Sequence, residues 1–171
     1  HVGLHAVTQA LVKYPWVNAR IEGTEIVTQP RVGVGMAVAS KHGLMVPVIK
    51  DADELSFRGL SREATRLARA ARDKKLVPDD VFGATFSVTN YGVFGQDMGF
   101  PIINQPNVAI LGVGAVKKKP AVIETEAGDA IVVRQFAWLT LGFDHRLIDG
   151  DLAANFLQEV AGALTKPSVQ L

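Results

Sequence analysis

Ala137 to Phe143 is a mostly apolar run of strand length, whereas Leu152, Phe156, Val160 and Leu164 recur every four residues, as on one face of a helix. The change of period leaves a short connection, Asp144 to Gly150, in which the chain must leave a strand and enter a helix. His145 falls in that connection, where a rigid strand and helix can hold a reactive side chain. Asp149 follows four residues later, and Gly150 lets the chain turn tightly. The His-x-x-x-Asp-Gly spacing suits a general base held beside the N-terminus of the following helix, and His145 is the residue assigned that role. Spacing alone equally allows a partly buried His-Asp pair with a structural role.

The rest of the chain divides by the same periodicities. Leu4, Val7, Leu11 and Tyr14 predict a first helix that ends before Pro15. Trp16 to Gly23 reads as a turn into a short extended segment with its reversal at Gly23. Between Arg31 and Ala39, Val32, Val34, Met36 and Val38 alternate with Gly33, Gly35 and Ala37, which predicts one strand with a closely packed small face. Gly33-x-Gly35 lacks the third glycine of a dinucleotide fingerprint. Leu44 to Ile49 reads as a second strand, edge or bulged because of Pro47, reached through a Lys41-His42-Gly43 turn with His42 solvated. Ser56 caps a helix to about Lys75 whose stripe is Leu60, Ala64, Leu67, Ala68 and Ala71. Its arginines, Arg58, Arg62, Arg66, Arg69 and Arg72, lie largely off that stripe and read as a solvated face rather than a nucleic-acid surface. Phe82 to Gly92 predicts a strand running into a glycine turn, and Val108 to Gly114 a buried strand. Lys117-Lys118-Lys119 reads as a solvated turn, and Ile123 to Asp129 as a hairpin turning around Gly128. The final helix, from about Asp151 to Leu164, stops at Lys166-Pro167. Strands and helices are unevenly grouped, so the expected fold class is mixed α/β, helices covering one side of a mixed sheet, and not a Rossmann fold.

Composition removes several functions. Eighteen basic and seventeen acidic residues give a formal charge of +1, which supplies no drive toward nucleic acid or an anionic membrane. With no cysteine, a disulfide framework, a thiolate metal site and a cysteine nucleophile are all excluded within the chain, and no other metal cluster is apparent. No apolar run approaches the ~20 residues of a membrane span, and no leader peptide is recognisable. The length suits one domain, residues 1–171. The chain opens at His1 inside a helical pattern, so a fragment lacking its N-terminal segment is expected. An intracellular protein fits this composition, in a bacterial cytoplasm ahead of a mitochondrial matrix.

Asp144-His145-Arg146-Leu147-Ile148-Asp149-Gly150 closely resembles the signature of the dihydrolipoyl acyltransferases, the catalytic cores of 2-oxo acid dehydrogenase complexes. Its His-x-x-x-Asp-Gly is shared with chloramphenicol acetyltransferase. Phe86-Ser87-Val88-Thr89-Asn90-Tyr91-Gly92 resembles the family segment in which a Ser or Thr hydroxyl approaches the reacting carbonyl, with Thr89 at the matching position. Pro101 to Pro106 and Val108 to Gly114 continue the likeness, which covers nearly the whole chain. It implies a chloramphenicol-acetyltransferase-like fold and a homotrimer that assembles into a hollow cubic or dodecahedral core. The active site would lie between subunits, Thr89 of one chain facing His145 of the next.

The reaction implied is acyl transfer between dihydrolipoamide and coenzyme A, the latter a substrate and the lipoyl group carried on a separate domain. Partners implied are the lipoyl domain and the 2-oxo acid decarboxylase and dihydrolipoamide dehydrogenase components; no lipoyl or subunit-binding domain is present in the chain. His145 would be the general base, Thr89 the oxyanion donor and Asp149 a supporting group, with Asp144 and Arg146 bracing the loop. Coenzyme A contacts stay unassigned. Three alternatives stand beside this reading: an inactive structural core subunit, a related acyltransferase with another acceptor, and a His-Asp hydrolase, for which no nucleophile elbow is found.

Overall fold

The computed structural model describes residues 1–40 and 43–166, so the His42 turn and the Pro167 stop lie outside the described residues. The chain opens with α1 (Val2–Lys13), whose end at Tyr14 reflects Pro15, which cannot supply the next helical N–H. β1 (Ala19–Glu22) and β2 (Glu25–Thr28) form a small antiparallel hairpin, closed by Gly23 at a positive φ of 59°. Then come β3 (Val34–Met36), β4 (Val38–Ser40), β5 (Gly43–Met45) and β6 (Val48–Ile49). α2 (Phe57–Arg72) follows, its first turn capped by Ser56, whose Oγ accepts from the Gly59 N–H at 3.1 Å. β7 (Phe86–Asn90), β8 (Ala109–Val113), β9 (Lys117–Thr125), β10 (Gly128–Phe136) and β11 (Leu139–Phe143) lead to α3 (Gly150–Thr165).

The central sheet has five strands in the order β11-β8-β7-β3-β6. The inner pairs β3–β7 and β7–β8 are parallel and the outer pairs antiparallel, so the sheet is mixed, as expected. Registers such as Val34↔Phe86 and Val88↔Leu111 place Val34, Met36, Phe86, Val88, Leu111, Leu139 and Leu141 on one face. That face shares one hydrophobic cluster with Leu4, Val7 and Leu11 of α1, Leu60 and Leu67 of α2, and Phe156 and Val160 of α3. The opposite face is made mostly of small residues, Gly35, Ser87, Thr89, Gly112, Thr140 and Gly142 beside the larger Val48 and Ile110, and the segment after β7 crosses it closely. A Cβ on Gly142 would lie 2.7 Å from the Pro101 carbonyl oxygen, and one on Gly114 1.8 Å from that of Asp97. Among the described residues, no helix is long and apolar enough to cross a membrane.

Five expectations need correction. Residues 31–39 are not one strand: after Met36 the chain leaves the central sheet, and Val38–Ser40 pairs with Gly43–Met45 in a separate hairpin. Leu44 to Ile49 is likewise split, at Val46-Pro47. Pro47 has no N–H to continue a ladder, but its carbonyl accepts from the Met36 N–H at 2.8 Å, and β6 is an edge strand. The small face of the first segment is nonetheless tightly opposed, since a Cβ on Gly33 would lie 2.1 Å from the Gly83 carbonyl oxygen. Lys117 to Lys119 is no turn. These residues begin the nine-residue β9, paired with Phe136, Gln135 and Arg134, and Asp97 takes the Lys117 ammonium at 2.5 Å. The hairpin around Gly128 is correspondingly longer than Ile123 to Asp129, running from Lys117 to Phe136. Phe82 to Thr85 precedes β7 instead of belonging to it, because Gly83 takes φ 91° and breaks the extended run.

Candidate active site

β11 delivers Phe143 to the end of the sheet, and the chain turns at once. The Asp144 N–H donates to the Val108 carbonyl at 2.8 Å, tying the start of the turn to the neighbouring strand segment. The Asp144 carbonyl then accepts from the N–H groups of Leu147 and Ile148 at 3.1 and 3.0 Å. Ile148 is fully buried and anchors the far end in the core. Between these fixed points His145 is exposed, its imidazole leaning on the Phe143 ring at 5.7 Å between centroids and 38° between planes.

The residues around His145 brace the loop. Arg146 forks onto the Asp144 carboxylate, with Nε 3.0 Å from Oδ1 and Nη2 2.6 Å from Oδ2. The Arg146 guanidinium, together with the Arg146 backbone N–H, holds the Asp144 carboxyl below its ordinary range, so it is charged at neutral pH. Asp149 is the N-cap of α3: its Oδ1 accepts from the Leu152 N–H at 2.8 Å. Among the described residues no hydrogen bond joins Asp149 to His145. The cap geometry yields a test. Asn caps a helix about as well as Asp, whereas Ala costs about 1 kcal/mol. Asp149→Asn is therefore expected to leave both unfolding midpoint and turnover near those of the unchanged chain, and Asp149→Ala to lower both. A large fall in turnover for Asp149→Asn at unchanged stability would assign the carboxylate charge a role beyond capping.

Thr89 sits on β7, half-buried on the face of small residues. Its register partner is Gly112, which in turn pairs with Thr140 of β11. Two strand spacings across and three residues along to Phe143 put Thr89 and Phe143 Cα atoms roughly 14 Å apart, and His145 is two residues further on. Among the described residues no hydrogen bond joins the two side chains within one chain. A cavity of about 600 Å³ contains none of the three residues: it opens on the helix side of the sheet, lined by Leu4, Val88, Leu111, Val160 and Leu164 among others.

Two contacts were not foreseen. Phe143, the last residue of β11, is a platform for the imidazole two residues further on, and nothing in the sequence signals that contact. Tyr91, read as part of a glycine turn, hydrogen-bonds Thr140 Oγ1 at 2.7 Å and donates to the Gly99 carbonyl at 3.2 Å. It thereby fixes the segment that follows Thr89 against β11. Among the described residues no cluster could hold a metal ion.

Comparison with known proteins gives a consistent result. The family model described as 2-oxoacid dehydrogenases acyltransferase (catalytic domain) matches residues 2–171. A curated relative, the dihydrolipoyllysine-residue succinyltransferase component of the 2-oxoglutarate dehydrogenase complex of Bartonella vinsonii subsp. berkhoffii, is 43% identical over 95% of this chain. The chain spans 38% of that relative's length. Among solved structures, a probable dihydrolipoamide acetyltransferase from Listeria monocytogenes 4b F2365 superposes with TM-score 0.93 and 39% identity, covering 99% of this chain and 72% of that one. The cubic core of the pyruvate dehydrogenase multienzyme complex gives TM-score 0.88 and 35% identity, covering 96% and 67%. A chloramphenicol acetyltransferase shares the fold at TM-score 0.55 and 16% identity, covering 94% of this chain and 75% of that one.

Proposed function

The chain belongs to the family of 2-oxoacid dehydrogenase acyltransferase catalytic domains, and on that premise we propose that it moves an acyl group between the thiol of dihydrolipoamide and that of coenzyme A. The observation that carries this reading is the exposed imidazole of His145, set on Phe143 and held between the Asp144–Arg146 pair and buried Ile148. An alkyl thiol with pKa about 8.5 is only a few per cent thiolate near neutral pH, so a positioned imidazole is the natural base. His145 takes the proton of the attacking thiol, and the sulfur adds to the thioester carbonyl. The negative charge that develops on the carbonyl oxygen accepts a hydrogen bond from the Thr89 hydroxyl. Collapse of the tetrahedral adduct expels the other sulfur, which recovers the proton from His145. The test is direct: acyl-coenzyme A and dihydrolipoamide should give a new thioester. Hydrolysis without transfer would point to a hydrolase, and binding without turnover to a structural subunit.

The placing of Thr89 roughly 14 Å from Phe143, the strand residue that leads to the His145 loop, supports a site shared between two copies, His145 from one and Thr89 from the next. Assembly as a homotrimer within a larger core agrees with the similarity to a cubic multienzyme core. The lipoyl domain and the other components of a 2-oxo acid dehydrogenase complex are its proposed partners, and the bacterial cytoplasm its proposed location. Thr89→Ala should lower turnover by about a hundredfold, the usual cost of losing one oxyanion donor. Mixing Thr89→Ala with His145→Ala protein under conditions that exchange subunits should then restore activity, since some interfaces regain both groups. Mixed assemblies with no recovery would remove the shared site.

The acyl group is proposed to be succinyl, following the succinyltransferase relative over the acetyltransferase neighbour of lower identity. Ser and Thr hydroxyls make the same hydrogen bond, so Thr89 itself does not select the acyl chain. A succinyl carboxylate would require a cationic or hydrogen-bonding partner in the pocket. Comparison of kcat/KM for acetyl-, isobutyryl- and succinyl-coenzyme A should favour succinyl. An acetyl preference above about tenfold, ~1.4 kcal/mol in transition-state binding, would reverse the assignment.

A further inference from the structure

The exposed face of α2 carries a charge pattern that neither the core nor acyl transfer uses. At about 100° of helix rotation per residue, Arg58, Arg62, Arg66, Arg69 and Arg72 fall within an arc of roughly 120°, opposite buried Leu60, Ala64, Leu67 and Ala71. All five are exposed. From position 58 to position 72 the stripe covers about 21 Å of helix axis. Arg66 is held by Glu63 and Asp80 at 2.7 and 2.8 Å. Among the described residues the other four have no acidic partner.

Folding of α2 accounts for only part of this arrangement: Arg69 and Arg72 complement the negative C-terminal end of the helix, but the rest of the stripe does not. Like charges three and four residues apart repel one another on a helix surface. Arg58 also stands in the first turn, where the helix dipole is positive and acidic residues are absent. A solvated face would be served equally by neutral polar side chains. Two shallow grooves flank the stripe, one of about 380 Å³ lined by Lys50, Leu55, Arg62 and Arg66, the other of about 430 Å³ lined by Arg62, Arg69, Ala70 and Lys75.

We propose that this face of α2 docks an acidic protein segment, whose carboxylates pair with Arg58, Arg62, Arg69 and Arg72. The guanidinium fork matches a carboxylate bidentately, and a narrow segment can run along the stripe itself, clear of the acidic edges of the flanking grooves. Nucleic acid fits less well. Glu63, Asp79 and Asp80 border one groove and Asp73 the other, so a broad polyanion would meet carboxylates on either side. The chain as a whole, at formal charge +1, offers no wider positive field. The proposal is independent of the acyl-transfer reading.

The experiment is fluorescence anisotropy of a labelled polyglutamate peptide of about 20 residues, a length that spans the stripe even when helical. Binding to the full chain should weaken as salt is raised. The triple variant Arg58→Glu/Arg62→Glu/Arg69→Glu should bind at least tenfold more weakly, with unfolding midpoint and turnover unchanged. If that variant does not fold, Arg58→Gln/Arg62→Gln/Arg69→Gln replaces it and should show the same loss. Absence of polyglutamate binding, or binding equal in the variant, overturns the proposal. Tighter binding of a single-stranded oligonucleotide or of anionic phosphatidylserine vesicles, lost in the same variant, also overturns it, in favour of nucleic acid or membrane.

Discussion

Replacing His145 with Ala should lower acyl transfer by about a hundredfold to ten-thousandfold, the range expected when a general base is removed. That range corresponds to ~2.7–5.5 kcal/mol added to the barrier. The loss should be specific to chemistry. His145 is exposed at the tip of its turn, and its contact with the protein is the face of Phe143. The turn itself is held by Asp144, Arg146 and Ile148, none of which depends on the imidazole. The free energy of unfolding should therefore stay within about 0.5 kcal/mol of the parent's, as for most exposed positions. Steady-state turnover with acyl-coenzyme A and dihydrolipoamide, measured beside a urea melt, separates the two effects. Near-normal turnover in the variant would sink the assignment of His145 as base.

Phe156→Ala is expected to give the largest loss of stability, about 3–5 kcal/mol. Its ring is fully buried between helix and sheet, 5.6 Å from the ring of Phe86 and 6.2 Å from that of Tyr14. Removing it leaves a cavity that joins α1, β7 and α3, and β7 and α3 are the elements that carry Thr89 and follow His145. Activity should accordingly become heat-sensitive before it becomes low. The measurement is a urea melt at fixed protein concentration, because any subunit association makes the apparent stability concentration-dependent. A cost under about 1 kcal/mol would mean that the surrounding side chains close over the site, and that Phe156 is not the wedge on which α3 is seated.

The loop around His145 was legible because it depends on local rules. An apolar run of strand length and a helix period of nearly four are written in consecutive residues with a short connection between them, whereas the structure alone shows that α3 begins at Gly150 with Asp149 as its cap. Ser56 and the stripe of α2 were legible for the same reason. The split of residues 31–39 was not, since nothing local distinguishes Met36 from Val38. The chain breaks there because β3 runs beside β7 only as far as Met36, while Val38 pairs with Met45. The lysine run failed similarly. Three lysines favour solvent, but a partner strand and the Asp97 carboxylate, both distant in sequence, hold them extended.

The sequence by itself determined which segments are strands and helices in outline and the short connection that presents His145, and the resemblance of its Asp144 to Gly150 motif pointed to the family. The elements and the connection follow from periodicity and residue chemistry acting within single segments of the chain. The tertiary structure alone decided the strand order β11-β8-β7-β3-β6, the placing of Thr89 on the face away from the helices, and its separation from His145 within one chain. Those depend on pairing between strands that are remote in sequence, where burial of one whole face selects the register and no short stretch carries the information.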